Sequence, residues 1–261
     1  MVRWREHLKN EGKLASKTIN GKMLAALRSI YSYGTRIMLI DCDPTEDTVE
    51  KIKKSRSERP KGFSQEEAER ILKATLTAKD DPSETAPRTK LAYRWLPWLL
   101  AYSGARSGEI AQLRKRDIFP GDIPFFRIAP DAGTVKTDQH RDVPLHPHLI
   151  EQGFLDFVSG RPEGPLFYEP KRNGEQSPGD SVRDKVAKWV RETVGISDMR
   201  IQPNHAWRHR FSTICREVSV HQEYARAIQG HSDGSSSSGY GEMTMKTLSR
   251  EIRKIPRYKI D

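Results

Sequence analysis

The sequence carries His205-Ala206-Trp207-Arg208, Gly230-His231-Ser232 and Tyr240 near its C-terminus, and Gly104-Ala105-Arg106-Ser107-Gly108-Glu109 about a hundred residues earlier. Two arginines, two histidines and a late tyrosine suit phosphoryl chemistry. A phosphodiester at a transfer step holds charge on its non-bridging oxygens, which guanidinium forks meet bidentately while an oxygen nucleophile attacks in line. The Tyr240 hydroxyl is a candidate for that nucleophile.

The elements around these residues must bring them together. From Asn204 to Val218 the spacing predicts a helix with Trp207, Phe211, Ile214 and Val218 on one buried stripe and His205, Arg208 and Ser212 on another face. Asn204 reads as its cap, which puts His205 and Arg208 in a first turn whose amide groups favour an anion. Arg106 follows a helix stop at Gly104 and precedes a short helix whose Glu109, three residues on, can brace the guanidinium. His231 follows Gly230, the end of a helix over Tyr224–Gln229. Tyr240 lies nine residues beyond His231, after the Gly/Ser run Gly234–Gly239. Lys136 sits at the tip of a hairpin formed by Ile123–Ile128 and Arg141–Leu145 around Gly133. Taken singly, each has a plainer reading: a solvated helix face, an ordinary helix ion pair, an exposed histidine, a core tyrosine, a turn lysine.

The rest of the chain reads as mostly helical. Ile19, Met23, Leu27 and Ile30 recur at helical spacing over about 17–36, with Lys17, Lys22 and Arg28 on the polar side. The charged run Lys51–Pro60 reads as a linker. Ser64 and Glu67 form the capping box of a helix over about 65–77, and an apolar helix over about 88–102 should kink or restart at Pro97. Further helices are expected over about 147–158 and 180–194. The domain reading is 1–45, a helical piece; 46–62, a linker; and 63–261, the main domain.

Composition bounds the partners. The 261 residues are 35% hydrophobic, enough for a core, and the net charge of +10 points to an acidic partner, most commonly nucleic acid. Residues 1–62 hold 14 Lys and Arg against 8 Asp and Glu, so +6 of that charge falls in this segment, as for an arm lying on phosphates. Cys42 and Cys215 are too few for a disulfide framework or a zinc cluster, which makes reduced cytosol the default. The polar start Met1–Glu6 does not read as a signal peptide, and no apolar run approaches a membrane span.

The ordered set is more specific than its members. Arg-x-x-Glu after a helix, Lys in a hairpin, His-x-x-Arg opening a helix, Gly-His-Ser and then Tyr resembles the tyrosine recombinase (phage integrase) family over roughly residues 63–250. Val135-Lys136-Thr137 followed by Arg141–His146 looks like that family's strand-turn-strand, and residues 16–36 look like the last helix of its core-binding domain. The resemblance implies an α+β, mostly α-helical fold: an integrase-like catalytic domain with a small antiparallel β-sheet, preceded by a helical remnant and a linker. Fewer residues precede position 62 than the family's DNA clamp occupies. Gln229 stands where leucine is common, and Arg210 where a small residue is.

What the resemblance implies for chemistry is a site-specific DNA recombinase. Tyr240 attacks the scissile phosphate to give a 3′-phosphotyrosyl link and a free 5′-hydroxyl. Arg106 and Arg208 hold the non-bridging oxygens, Lys136 protonates the leaving oxygen, His205 helps take the tyrosine proton, His231 donates a hydrogen bond, and Glu109 supports Arg106. Neither a metal nor a cofactor is implied. The expected partners are double-stranded DNA recombination sites, contacted also by Lys17, Lys22 and Arg28, and further copies of the chain in a homo-tetramer formed by exchange of a C-terminal helix over Met245–Ile252. The expected location is cytoplasmic, at the nucleoid. Three alternatives stay open: a type IB topoisomerase; a non-catalytic DNA-binding module or truncated fragment occupying recombination sites; and a basic protein binding nucleic acid only through charge.

Overall fold

A computed structural model describes residues 2–46, 48, 59–78, 85–129, 140–169, 178–231 and 243–260. The chain forms two compact units, Met1–Glu58 and Arg59–Asp261.

The first unit contains α1 (Val2–Asn10), α2 (Ser16–Thr18), a π-helical stretch Ile19–Leu24 and α3 (Ala25–Arg36). The π turn overturns the expected stripe. Its wider i→i+5 repeat advances the inward face by one residue, so Leu24 is buried beside Ile19 while Met23 and Ile30 are exposed. Lys17, Lys22 and Arg28 are exposed, and Arg28 Nη2 donates to the Thr45 carbonyl at 3.3 Å. The helix α1 has no counterpart in the sequence reading, because its apolar positions do not form a stripe.

The second unit contains α4 (Gln65–Thr75), α5 (Pro87–Ser103), α6 (Ser107–Ala111), a 3₁₀ turn Lys115–Asp117, strands β1 (Ile118–Phe119), β2 (Phe125–Ile128) and β3 (Arg141–Pro144), then α7 (Pro147–Glu151), α8 (Phe154–Ser159), α9 (Pro178–Glu192), α10 (Pro203–Glu217), α11 (Gln222–Gln229) and α12 (Met245–Ile252). The fold is mostly helical with one antiparallel sheet in the order β1-β2-β3. In its register Phe125 faces Pro144 and Ile128 faces Arg141.

The capping box of α4 forms as expected, with Ser64 Oγ accepting from the Glu67 amide at 3.1 Å and Glu67 accepting from the Ser64 amide at 2.8 Å. Ahead of it, Arg59 is ion-paired to Glu67 at 2.7 Å and to Asp198 at 2.8 Å, so the end of the charged run belongs to this unit. The helix α5 is the hub, packing against α4, α6, α7, α9 and α10. It neither stops nor restarts at Pro97, which lies inside it between the buried Trp95 and Trp98. Burial of these large side chains on every side outweighs the one backbone hydrogen bond a proline removes. The helix expected over 147–158 is two helices, parted at Gly153, a poor helix former whose amide turns back to the Ile150 carbonyl at 2.8 Å.

In the single chain the helix α12 lies against β3 and α11 with Leu248 and Ile252 buried. Its apolar face needs cover, and β3 and α11 supply it within the chain. Beyond α12, Ile255 and Tyr258 are buried as well. His146 Nε2 lies 2.9 Å from the Ile255 carbonyl while its Nδ1 accepts from the His148 amide at 3.1 Å. That network assigns the neutral Nε2–H tautomer. The His146 ring stacks on Tyr102 at 4.0 Å, and the Tyr102 hydroxyl joins His148 Nδ1 at 2.8 Å to the Tyr258 amide at 3.4 Å.

Candidate active site

Three helix ends and one strand converge on a cluster of arginines. At Gly104 the chain leaves α5 with φ +56°, and a Cβ there would lie 2.8 Å from the Phe211 ring and 2.6 Å from Gln229 Nε2. Glycine is what lets α5 end against α10. Arg106 then precedes α6, whose N3 residue Glu109 reaches back to accept from the Arg106 amide at 3.0 Å and from Arg106 Nη1 at 2.8 Å. Arg106 Nη1 also lies 3.3 Å from the Gly230 carbonyl.

Arg208 enters from the other side. Pro203, not Asn204, opens α10, because a proline at the first helical position gives up an amide that has no partner there. Asn204 instead donates to Asp184 at 3.2 Å. His205 is exposed, and it lines with Arg106 an open cavity of about 640 Å³. One turn on, Arg208 points inward, donating through Nη1 to the Gly104 carbonyl at 2.8 Å and the Gln229 carbonyl at 2.5 Å. Its Nη2 is buried and has no hydrogen-bond partner among the described residues. Burial, together with repulsion from Arg106 and Arg141, pushes the Arg208 pKa down to about 10, against the attraction of Glu109.

Gly230 ends α11 with φ +69°, and His231 follows, exposed, its amide bonded to the Arg226 carbonyl at 3.0 Å. Beneath that turn lies Arg141, whose Cζ would stand only 2.4 Å from a Cβ on residue 230. Arg141 Nη2 donates to Glu109 Oε2 at 2.5 Å, Nη1 to Oε1 at 3.3 Å, and Nε to the Ile228 carbonyl at 3.4 Å. Burial alone would raise the pKa of Glu109, but hydrogen bonds and charge from Arg141, then Arg106, hold it below the usual carboxylate range.

The described structure brings Arg106, Glu109 and Arg208 together and lines one cavity with Arg106 and His205, whereas His231 lines another with Ser212 and Gln229, and Lys136 and Tyr240 lie outside the described residues. The sequence reading missed Arg141. An arginine heading a strand whose far end, Val143 and Pro144, is apolar and buried was the available signal. It also missed Gln229 as a structural partner: its buried side chain donates to the Arg208 carbonyl and to Ser212 Oγ, each at 3.0 Å. Arg210 is bound elsewhere, to the Tyr258 hydroxyl at 3.1 Å and the Phe63 carbonyl at 3.0 Å.

Helix order and the small antiparallel sheet define an integrase-like fold. No protein-family model matches the chain. It is 25% identical to tyrosine recombinase XerA of Thermococcus onnurineus (strain NA1) over 258 residues, which is 97% of this chain and 80% of that protein. It is 23% identical over 257 residues to XerA of Thermococcus kodakarensis, with the same coverage. Among solved structures, the fold matches the integrase of mycobacterium phage Brujita with a TM-score of 0.55 at 18% identity, covering 97% of this chain and 78% of that one. It matches the Tn1549 transposon integrase, solved with circular intermediate DNA, with a TM-score of 0.60 at 16% identity, covering 97% and 84%. Over nearly its whole length the chain is similar to tyrosine recombinases.

Proposed function

We propose that the protein is a site-specific DNA recombinase that cuts and rejoins strands through a 3′-phosphotyrosyl intermediate. The observation that carries this reading is the buried Arg208 Nη2, which has no hydrogen-bond partner among the described residues. A desolvated guanidinium donor without an acceptor is costly unless an anion completes it, and Arg106 and Arg208 lie side by side, bonded to the adjacent carbonyls of Gly230 and Gln229.

In the reaction, the Tyr240 oxygen bonds to phosphorus as the bond to the 5′-oxygen breaks. His205 takes the phenolic proton, Lys136 supplies the proton that makes the leaving group a 5′-hydroxyl, and His231 donates to the phosphoryl oxygens. Arg106 and Arg208 hold those oxygens as charge grows on them. One phosphodiester is exchanged for another, so neither a nucleotide nor a metal ion is called for. Attack by a 5′-hydroxyl from a partner duplex reverses the step and exchanges strands. Four copies acting on two duplexes, joined through exchange of α12, would complete a round. Lys17, Lys22 and Arg28 of the first unit, read as the end of a core-binding domain, would add phosphate contacts.

The test is a duplex nicked beside the cleavage position, built on the sequence the protein selects from a random duplex library. Wild type should leave a covalent protein–DNA band on a denaturing gel and Tyr240→Phe none. DNA bound tightly with no band from wild type would instead favour a binding module.

A further inference from the structure

We propose that Arg141 is a positioning residue for Arg106: by taking Glu109 as a two-pronged partner, it restricts Arg106 to a one-point attachment and leaves the rest of that guanidinium for the substrate. The proposal rests on reading the cluster as a phosphodiester site.

The geometry is a competition for one carboxylate. Glu109 is 2% exposed, and four donors share its two oxygens: Arg106 Nη1 and Arg141 Nη1 on Oε1, the Arg106 amide and Arg141 Nη2 on Oε2. An arginine offered a free carboxylate takes it with both prongs. Arg106 does not, because Arg141 already holds Oε2 at 2.5 Å. Arg106 Nε and Nη2 consequently find no acceptor on Glu109, and the side chain stays 31% exposed, against 15% for Arg141.

Arg141 is itself held away from any ligand. Its Nε lies against the Ile228 carbonyl, and the Gly230 backbone covers its guanidinium so closely that a Cβ would fall 2.4 Å from Cζ. It therefore acts through Glu109 and not on a substrate. The same contact explains the glycine: any larger residue at 230 would displace Arg141. Charge supports the arrangement, since Arg141 precedes Arg106 among the groups that keep buried Glu109 ionised. Without Arg141, Glu109 keeps its charge only by capturing Arg106 in a full fork.

The experiment uses the full chain on the selected nicked duplex, with either an ordinary phosphate or a methylphosphonate at the cleaved position. For Arg141→Met the expected result is a single-turnover cleavage rate about 10–100-fold below wild type on phosphate, with DNA affinity within about 3-fold. On methylphosphonate, which lacks one charged oxygen for Arg106 to meet, the two proteins should cleave within about 3-fold of each other. Arg141→Lys, which keeps a charge but offers one prong, should fall between. Adding Arg141→Met to Arg106→Ala should cost nothing further. Equal losses on both substrates, additive losses in the double variant, or an unchanged rate on phosphate would each overturn the proposal. The absence of a covalent product from wild type would count against the recombinase reading instead. A measurement without DNA decides the matter in that case: the Arg106 Nε–H resonance, assigned by its loss in Arg106→Lys, should move in Arg141→Met as the fork forms. A stationary resonance overturns the proposal.

Discussion

The two ends of β3 are built on opposite principles. At its start, Arg141 joins a cluster in which Arg106, Arg141 and Arg208 surround the single carboxylate of Glu109, and one buried donor of Arg208 has no described acceptor. Just past its end, His146, His148, Tyr102 and Tyr258 form a neutral aromatic group linked ring to ring and donor to acceptor. Each is centred on a buried group, Glu109 in one and Tyr102 in the other, and both hold distant segments together. The first leaves binding capacity unfilled and the second spends all of it on the fold. One is suited to meet a charged ligand, the other to anchor the C-terminal segment.

The sharpest way to break this contrast is to remove the unfilled donor. Arg208→Ala should lower single-turnover cleavage by about 10²–10³, the usual cost of a lost oxyanion donor, while the melting temperature changes little because a poorly compensated buried cation goes with it. A collapse of the melting temperature in step with the rate would mean that Arg208 is as structural as the aromatic group.

The anchor should respond to acid instead. Burial, despite the hydrogen bond to Ile255, brings the His146 pKa down to about 4, from 6.5 in an unfolded chain. The unfolded state therefore binds the extra proton first as pH falls. Stability from this group is complete above about pH 6.5 and declines toward pH 4, by on the order of 3 kcal/mol. Protonation at Nδ1 would also cost the bond from the His148 amide. Urea unfolding at pH 7 and pH 4.5 should show the loss, and His146→Gln should flatten it. An equally steep decline in the variant would place the acid sensitivity elsewhere.

Removing one hydroxyl from the anchor gives a smaller effect. Tyr102→Phe strips a partner from His148 Nδ1 and the Tyr258 amide, which should cost about 1–3 kcal/mol of stability with the cleavage rate per folded molecule unchanged. A rate loss would join the two regions functionally. Smallest is Gln229→Leu. The side chain gives up its bonds to the Arg208 carbonyl and Ser212, but leucine fills the same buried space, so about 1 kcal/mol is expected in urea unfolding.

Much of the fold was legible because its signals are local. The capping box at Ser64 and Glu67, the helix expected over about 180–194, and the glycine stop before His231 depend on a few neighbouring residues, and the structure reproduces each, the second as α9. Local signals also misled. Pro97 reads as a kink or restart, and in the packed core around α5 the helix runs on without restarting. Met23 and Ile30 read as core until the π turn moves Leu24 inward. Asn204 reads as a cap until Pro203 takes the first helical position. Of the site, the Arg106–Glu109 pair was readable from its spacing. Arg141 was not, since it lies 32 residues from Glu109 and 87 from Ile228.

The sequence by itself determined which chemical groups are present, their order, and the helices and hairpin that carry them, because spacing, caps and turns act within a few residues. The tertiary structure decided how Glu109 is divided between two arginines, which guanidinium donor has no partner among the described residues, and where α12 and the tail behind it dock. Those outcomes depend on desolvation and on competition for buried acceptors among segments far apart in the chain, and neither is set until the segments meet.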